Sequence, residues 1–541
     1  MIKVEDSGNI KVADVSIAQL SRGLYRSTGA AFKELVSNAW DADAAAIRID
    51  TNYPEFDFIS CVDNGTGMSL KQFLNYFSEE GIGYCFKRKY NKDTTDKYKR
   101  PIIGRLGIGM LAVGQLCHSF EIESHYVDEK GKGAAYHAEI ILLEEGIPDI
   151  ENTIRSEDIE RRSLDVGRWI YHIIPYDESK NGFRVYSADV RDTFRGEMKS
   201  SIGTDTKKTL SFNFSDLHEK FYNKIDKSIR ECKPYLETIW ELSILCPLPY
   251  NDDDKYPINL TQFEDTGRTE ELKQSINMLK KRQADFKKWH FRVFFDGMEL
   301  KRLIQFPTNE DVIPRVYYIN FDQTVAANPL RFSGYVFGQA SRAIKPLELN
   351  GIQIRIRGVG IGGYDSTFFK YYKEIETIRS RWVSGEIFVD NGLEMGLNID
   401  RDSFNEHDEH FKKLQFQLHE KLDSIFNDIN NIARAKQEFK RNIKDEYLQK
   451  SMQAIVAKQS HGKYKLVQRN LGDKKPVVTI DEKKGEVILN IDSRPLKKKK
   501  ADMIFKHVIL AYYISRQIAR TKQEQNTMFY NLLKAIVGKL I

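Results

Sequence analysis

The amino-acid sequence predicts an α+β protein built of several domains. Three observations lead to this class. Helix and strand patterns alternate over residues 1–215, strand patterns dominate residues 289–405, and apolar residues recur in steps of three and four over residues 406–460. A chain of 541 residues can hold several domains of roughly 100 to 200 residues each. We therefore expect these three segments, a helical connector at 216–288 and a small C-terminal domain at 461–541.

The first segment begins with a helix followed by two strands. Residues 28–46 are predicted to be helical with Thr28 as the N-cap, because a hydroxyl can accept a hydrogen bond from a first-turn amide. Period-two alternation predicts strands at 47–49 and 56–62. The stretch 87–100 is charged and lacks apolar periodicity, which indicates a loop.

The later segments show strands, then a long helix, then a small mixed unit. The second domain is predicted to contain five strands, at residues 291–295, 316–319, 333–337, 352–356 and 385–389. The apolar positions of the long helix are Phe411, Leu414, Leu418, Leu422, Ile425, Ile429 and Ile432. They can pack against their own domain or form an oligomer seam. The C-terminal unit is predicted to have a hairpin at 477–491 and an apolar helix at 502–520.

Composition describes a globular protein. The hydrophobic fraction is 41%, and the formal net charge of +6 permits a nucleic-acid partner without requiring one. The five cysteines show no zinc-like spacing, which favours a reducing compartment and no structural metal. We see neither a signal peptide nor an apolar run of about 18 residues, so a cytoplasmic protein without a membrane partner is expected.

The most informative motif is a polar cluster on the first helix. Glu34 and Asn38 are four residues apart and Asp41 lies three further on, so the three side chains share one helix face. The neighbouring residues are apolar, and burying such polar groups is costly unless something binds them. Read alone, the cluster fits either a ligand site or a satisfied core network.

Two glycine motifs follow. In Asp63-Asn64-Gly65-Thr66-Gly67-Met68, a carboxylate at a strand end stands beside backbone that a flat base can approach closely. An ordinary Asn-Gly turn is the alternative. In the second motif, Gly104, Gly107 and Gly109 open an apolar segment whose amides suit phosphates, although one glycine-rich loop is weak support by itself.

In this order and at these separations, the motifs resemble the three boxes of the GHKL ATPases, which share the Bergerat fold. That group includes the ninety-kilodalton heat-shock chaperones, MutL, type II topoisomerases, MORC proteins and histidine kinases. Ser201-Ile202-Gly203-Thr204 is similar to the group's last box. The resemblance covers residues 15–405 and implies an ATPase domain followed by a transducer or middle domain. Residues 406–541 match no family that we can name.

The resemblance implies ATP and Mg²⁺ as cofactors and a role for each motif residue. Glu34 would be the base that activates water, Asn38 the Mg²⁺ ligand and Asp63 the reader of adenine. Other expected nucleotide-binding residues are Asp41, Gly65, Gly67, Met68, Asn75, Gly104, Leu106, Gly107, Ile108, Gly109 and Thr204. Histidine kinases lack the catalytic glutamate of this box, so Glu34 favours a hydrolase.

The second domain resembles the middle domain of the heat-shock chaperones. The segment Leu397-Asn398-Ile399-Asp400-Arg401 is similar to a loop whose arginine reaches the γ-phosphate. Arg401 is therefore the expected second catalytic residue, with Asn405 as a weaker helper. The alternatives are a surface cation at a helix start and a transducer lysine such as Lys345.

The expected function is chaperone-like ATP hydrolysis, in which a lid at 79–103 and the second domain close over the nucleotide in a homodimer. The implied partners are ATP or ADP and a client or defence-system protein. One alternative is a MORC-like or MutL-like nucleic-acid clamp, indicated by Lys497–Lys500 and compatible with bacterial defence. The other is a nucleotide-regulated interaction protein.

Overall fold

The fold is α+β, as predicted, with three sheets flanked by helices. The computed structural model describes residues 6–10, 27–79, 93–104, 109–142, 167–200, 234–251, 269–302, 314–339, 343–344, 346–372, 380–398, 402–490, 492 and 503–537. The chain forms two compact units, Met1–Ile429 and Asn430–Ile541. In the parts of the chain that the structure describes, no helix combines the length and apolar character needed to cross a bilayer.

The first sheet has nine strands in the order β1-β6-β5-β4-β7-β3-β2-β8-β9. Their bounds are β1 Asp6–Ile10, β2 Ala46–Asp50, β3 Ile59–Asp63, β4 Ser119–Val127, β5 Gly133–Leu142, β6 Gly167–Ile174, β7 Gly182–Ser187, β8 Arg292–Phe295 and β9 Met298–Glu299. All neighbours are antiparallel except β2 and β8.

Helix α1 (Thr28–Asp41) packs on this sheet and carries the first polar motif. Its N-cap is Ser27, whose Oγ accepts the Ala30 amide at 3.1 Å, so the assignment of the cap to Thr28 was wrong by one residue. The helix ends at Asp41 rather than at residue 46, because Asp43 has φ +55° and the Ala44 amide bonds back to the Ala39 carbonyl. Phe32, Val36 and Trp40 are fully buried.

Strand β8 was predicted for the second domain but belongs to the first sheet. Arg292–Phe295 pairs in parallel with Ala46–Asp50. The turn after β8 fixes this position, since the Asp296 carboxylate accepts the Thr51 amide at 2.7 Å and the Tyr235 hydroxyl at 2.8 Å. Apolar alternation identified the strand but could not specify its neighbour.

The second sheet has five strands in the order β10-β11-β14-β12-β13. They are β10 Pro314–Val325, β11 Asn328–Gln339, β12 Gly351–Ile356, β13 Val359–Asp365 and β14 Val383–Asn391. Only β12 and β14 are parallel.

Further helices in this unit are α2 Leu70–Leu74, α3 Asp192–Ser200, α4 Pro234–Leu245 and α5 Thr269–Lys288. One continuous core cluster includes residues of both sheets.

The predicted long helix is confirmed as α6, Glu409–Gln459. Six of its predicted apolar positions are buried at 5% exposure or less, namely Phe411, Leu414, Leu418, Leu422, Ile425 and Ile429. Gly338 of β11 makes room for them, because a Cβ there would lie 2.4 Å from the Ile429 side chain. This stretch of the helix therefore packs against the second sheet of its own unit.

Besides the end of α6, the described residues of the C-terminal unit form a small sheet and two helices. Strands β15 Lys465–Arg469, β17 Glu486–Asn490 and β16 Val478–Asp481 lie in that order. The predicted hairpin is confirmed by the antiparallel pairing of β16 and β17. The predicted apolar helix is α7, Met503–Ile518, and α8, Lys522–Val537, follows it.

Candidate active site

Glu34 and Asn38 stand on α1 where it meets the end of the second glycine motif. Both side chains are partly exposed. A Cβ added at Gly109 would lie 2.9 Å from Glu34 Oε2 and 3.4 Å from Asn38 Nδ2. Any larger residue at this position would push against both side chains. The glycine thus allows the backbone to approach the two polar groups closely.

Asn38 also contacts the residue after this glycine. Its Nδ2 donates to Met110 Sδ at 3.9 Å, a weak bond that directs the amide nitrogen toward the buried methionine. With the nitrogen on that side, Oδ1 is the amide atom suited to ligating a hard cation.

Asp41 anchors neighbouring backbone. Its carboxylate accepts the Ile103 amide at 2.8 Å and the Gly104 amide at 2.6 Å. We call residues 93–104 the arm; they form the last part of the predicted lid, 79–103, and end at this anchor. Asp43 binds the other part of the arm, accepting the Lys97 amide at 2.7 Å. Two carboxylates at the end of α1 therefore hold the arm beside the site.

Arg100 fastens the arm to the core. Its guanidinium is completely buried and donates to the carbonyl oxygens of Trp289 at 2.6 Å and Trp40 at 3.2 Å. It also lies 4.4 Å from the Tyr98 ring centre. Burial lowers the pKa of Arg100 to about 10, so the residue stays charged at neutral pH.

Asp63 ends β3 and is almost entirely buried. Burial raises its pKa to about 7, against the opposing effect of hydrogen bonds from the Gly65 and Phe183 amides. The loop after Asp63 is hydrogen-bonded to the end of α1, where the Ala42 carbonyl accepts the Thr66 amide at 2.8 Å. A Cβ at Gly65 would lie 2.5 Å from that carbonyl oxygen, so glycine is required for this close approach.

The remaining residues of this loop are tied to β4. Gly67 has φ +70°, and a Cβ there would lie 2.6 Å from the His125 carbonyl oxygen. Met68 exchanges two hydrogen bonds with Ser124, each 2.9 Å long, and its side chain packs on the core. Asn75 follows α2 as its C-cap. Asp63, Met68 and Asn75 thus lie on connected segments beside α1.

The second sheet reaches the site at two points. Lys33 Nζ lies 3.0 Å from Asp402 Oδ1, and the two side chains are 7% and 21% exposed. In the turn between β12 and β13, Arg357 Nη1 donates to the Ile102 carbonyl of the arm at 2.9 Å. Its Nη2 is 3.6 Å from Asp93 Oδ1, and its Nε donates to Glu394 Oε1 at 3.1 Å.

Several predicted site residues fall outside the described residues. These are Leu106, Gly107, Ile108, Thr204 and Arg401, together with the alternative cation Lys345. Among the described residues, the structure brings Glu34, Asn38 and Gly109 together directly. The end of α1 links this group to the Asp63 loop.

Sequence reasoning missed four residues that shape the site, namely Lys33, Asp43, Arg100 and Arg357. Only Lys33 left a local signal, as a charged residue among the apolar positions of α1. The other three act through contacts with distant segments, which leave no pattern in the local sequence.

Comparison with known proteins agrees with this geometry. Residues 25–158 match the family described as "Histidine kinase-, DNA gyrase B-, and HSP90-like ATPase". These residues are a GHKL-type ATPase domain. The matched range contains Glu34, Asn38, Asp63 and Gly109. ATP binding and hydrolysis are the activities that this type of domain supports.

A curated relative extends the similarity beyond this domain. "Putative type II restriction enzyme HgiDII" from Herpetosiphon aurantiacus is 29% identical over 251 residues, which are 46% of this chain and 33% of that protein. The aligned part therefore spans about a third of the relative's length.

Proposed function

We propose that this chain is a Mg²⁺-dependent ATPase whose hydrolytic centre is the junction of α1 with Gly109. The close approach of the Gly109 backbone to Glu34 and Asn38 carries this proposal. It sets a carboxylate and an amide oxygen beside a glycine-rich segment, which is the combination needed to orient water, a cation and phosphates. Asp63, on a loop attached to the same helix, is the proposed adenine reader.

The residues present fit Mg²⁺ and ATP. Mg²⁺ takes oxygen ligands and few of them from protein, so Asn38 Oδ1 suffices beside phosphate oxygens and water. When bound, the ion neutralises phosphate charge. Gly109 has no Cβ, so its backbone lies directly beside Glu34 and Asn38, where phosphate oxygens can approach it. We assign phosphate binding to the amides of Leu106, Gly107, Ile108 and Gly109, whereas the Gly104 amide of the same motif is bonded to Asp41 Oδ2.

Glu34 is the proposed general base. Its carboxylate is partly exposed on α1, so water can reach it. It can accept a proton from that water or orient the water toward the γ-phosphate. Asp41 takes a supporting role in this proposal, because its oxygens hold the Ile103 and Gly104 amides at the start of the phosphate segment.

Asp63 is proposed to accept a hydrogen bond from the adenine amine. Its carboxylate lies at the end of β3, and Gly65 and Gly67 allow the loop after it to pack closely on the Ala42 and His125 carbonyls. Met68 is the proposed packing surface for the base, and Asn75 and Thr204 are proposed helpers. Because Asp63 is buried, a base without this amine would leave the carboxylate unpaired at a high cost in free energy. One hydrogen bond therefore selects strongly for adenine.

Arg401 remains the proposed sensor of γ-phosphate. The support is its neighbour Asp402, which is paired with Lys33, the residue next to Glu34. That pairing brings the chaperone-like segment to the catalytic helix. Lys345 is the alternative cation.

The arm is the proposed link between nucleotide state and the second domain. It forms the last part of the proposed lid, is fixed to α1 through Asp41 and Asp43, and is bound by Arg357 from the turn between β12 and β13. In this proposal, lid and domain closure accompany ATP binding in a chaperone-like homodimer that acts on a client. Ordering around a γ-phosphate is an established switching device.

Two variants should separate hydrolysis from binding. Glu34→Gln should retain ATP but lower kcat by about 100-fold or more, because the base is removed while the pocket keeps its shape. Asp63→Asn should abolish ATP binding, since the amide offers a donor to the adenine amine. Nucleotide affinity by calorimetry and steady-state phosphate release measure the two effects.

Glu55→Gln and Asp57→Asn are the matched controls, because both side chains are exposed just before β3. They should leave kcat and affinity unchanged. Parental turnover in Glu34→Gln would remove Glu34 from the mechanism.

ATP affinity should rise with pH up to about 7. The free Asp63 carboxyl has its pKa raised to about 7 by burial. An adenine amine donates more strongly to the ionised carboxylate than to the neutral carboxyl, so binding lowers this pKa and releases protons. Below pH 7, affinity should therefore increase by up to about tenfold per pH unit, and it should level off above.

Adenosine tests this prediction without phosphate titration, because it has no group that ionises near pH 7. Calorimetry in two buffers of different ionisation enthalpy would measure proton release at pH 6. Zero release, with an affinity for adenosine independent of pH, would contradict the role given to Asp63.

Arg357 should act as a positioning residue for hydrolysis. Arg357→Ala removes the bonds to the Ile102 carbonyl and Asp93 but touches neither Glu34 nor Asp63. Charged hydrogen bonds of this kind contribute about 1.5 to 3 kcal/mol. We expect kcat to fall about tenfold with little change in KM for ATP, and Arg357→Lys to rescue it poorly because lysine lacks the planar fork.

Arg331→Ala is the control. This exposed arginine of the same sheet pairs with the surface residue Asp322, and both residues are far from the arm in sequence. It should keep parental kinetics. An equal decrease of kcat in both variants would point to general destabilisation of the sheet.

A nucleic-acid-responsive ATPase is the second candidate, favoured by how charge is divided between the two units. Residues 430–541 carry 25 Lys and Arg against 10 Asp and Glu, whereas residues 1–429 carry 58 against 67. The overall charge of +6 hides this contrast. Exposed cations around the third sheet include Lys463, Lys465, Lys474, Lys475, Lys483 and Lys484. Such a basic unit fits a polyanion.

The name of HgiDII places that relative among restriction enzymes, which act on DNA. This supports, for the present chain, the proposal of a nucleic-acid partner and a place in bacterial defence. A nucleotide-regulated interaction protein would instead bind neither DNA nor RNA.

Duplex DNA should bind with an affinity that falls steeply as salt rises, by fluorescence anisotropy. Replacing Lys463, Lys465, Lys483 and Lys484 with Gln should flatten the plot of log affinity against log salt, by about 0.9 for each phosphate that the variant no longer neutralises. The control replaces the exposed Lys273, Lys280, Lys281 and Lys288 of α5. Identical slopes in both variants would reject this surface.

A further inference from the structure

A second polar cluster lies on the first sheet, away from the proposed ATP site. His137 of β5 is directly opposite His172 of β6 in the strand register. Tyr136 and Ala138, which flank His137, are fully buried in the core with α1. Since side chains alternate along a strand, His137 and Glu139 project from the face opposite to α1.

The two imidazoles are spaced as metal ligands are. His137 Nδ1 lies 3.2 Å from His172 Nε2, and the rings stack with centres 5.1 Å apart. Two nitrogens at about 2.0 to 2.1 Å from a tetrahedral ion lie roughly 3.3 Å from each other. A direct hydrogen bond between the rings would have a similar length, so the distance alone does not separate the two arrangements.

Glu139 supplies a third ligand atom. It stands two residues after His137 and therefore shares its face of β5. Ligand atoms of His137, Glu139 and His172 all lie within 4.8 Å of one another. Two imidazoles and one carboxylate are a ligand set typical of zinc, with a fourth position for water.

Glu121 of β4 supports the protonation state that metal binding requires. Its Oε2 lies 3.2 Å from His137 Nε2. A carboxylate acceptor there keeps the proton on Nε2, which leaves the Nδ1 lone pair directed toward His172. A carboxylate behind a ligating histidine orients the ring and raises metal affinity.

We propose that His137, His172 and Glu139 bind a divalent transition-metal ion, zinc foremost, with Glu121 orienting His137. The ion joins β5 to β6 on the face opposite to α1. This metal site differs from the Mg²⁺ position assigned to Asn38, and the transition-metal ion binds there without nucleotide.

Metal-free protein titrated with Co²⁺ and with Zn²⁺ against a colorimetric chelator tests the proposal. We expect one equivalent to bind, with a visible Co²⁺ absorption spectrum of low coordination number that Zn²⁺ abolishes. His137→Gln and Glu139→Gln should each weaken binding by about tenfold or more. Glu121→Gln should weaken it by about 10- to 100-fold, because the carboxylate no longer orients the ring.

The control is His461→Gln, an exposed histidine of the other unit, which should bind as the parent does. Glu139 is exposed, so its variant also guards against loss of folding. Circular dichroism checks each variant. Equal affinity and stoichiometry in all variants, or a parent that binds no equivalent, would leave only a hydrogen-bonded histidine pair and overturn the proposal.

Discussion

The first unit depends on the ion pairs and hydrogen bonds that the buried carboxylate of Glu386 makes. Arg355 Nε lies 2.5 Å from it, and the hydroxyls of Tyr250 and Tyr335 donate at 2.8 and 2.9 Å. Arg302, just after the first sheet, places Nη1 4.0 Å away. Burial alone would raise the pKa of Glu386, but the two arginine charges hold it below its ordinary value. Removing one partner of such a buried pair costs about 3 to 5 kcal/mol, so the elements that meet here are strongly constrained.

These elements come from different parts of the chain. Glu386, Arg355 and Tyr335 belong to the second sheet. Tyr250 lies after α4, in the part of the chain before β8, and Arg302 lies after β9. The network therefore joins the second sheet to segments that adjoin the first sheet. Lys33 with Asp402, and Arg357 with the arm, are further contacts between these parts of the first unit. In the proposed function, these contacts are the route by which a change at the nucleotide reaches the second sheet.

Much of the fold was predictable because it depends on local patterns. Alternation identified β2, steps of three and four identified α6, and glycine motifs in the right order identified the ATPase domain. The misplacement of β8 shows the limit of this approach. A strand pattern records which faces are buried but not which strand lies alongside, and that neighbour was separated by more than two hundred residues.

The site shows the same division. Spacing along α1 placed Glu34 and Asn38 together, and their roles remain predictions. Spacing also put Asp41 on that face, but its oxygens hold the Ile103 and Gly104 amides, which no helix pattern reveals. The pairing of His137 with His172 depends on register between strands, so neither histidine stood out in the sequence.

The parallel pairing of β8 with β2 has a consequence for synthesis. About 240 residues separate the two strands, so at roughly 5 to 20 residues per second the ribosome needs about 10 to 50 s to make the second after the first. Throughout that interval the nascent first sheet carries β2 as an open edge with unpaired amides and carbonyls, which invites pairing with other chains. The same reasoning sets a minimum length for an isolated ATPase fragment whose β2 edge is to be paired. A piece that stops near residue 215 would keep this edge permanently, whereas one that continues to Leu300 would close it.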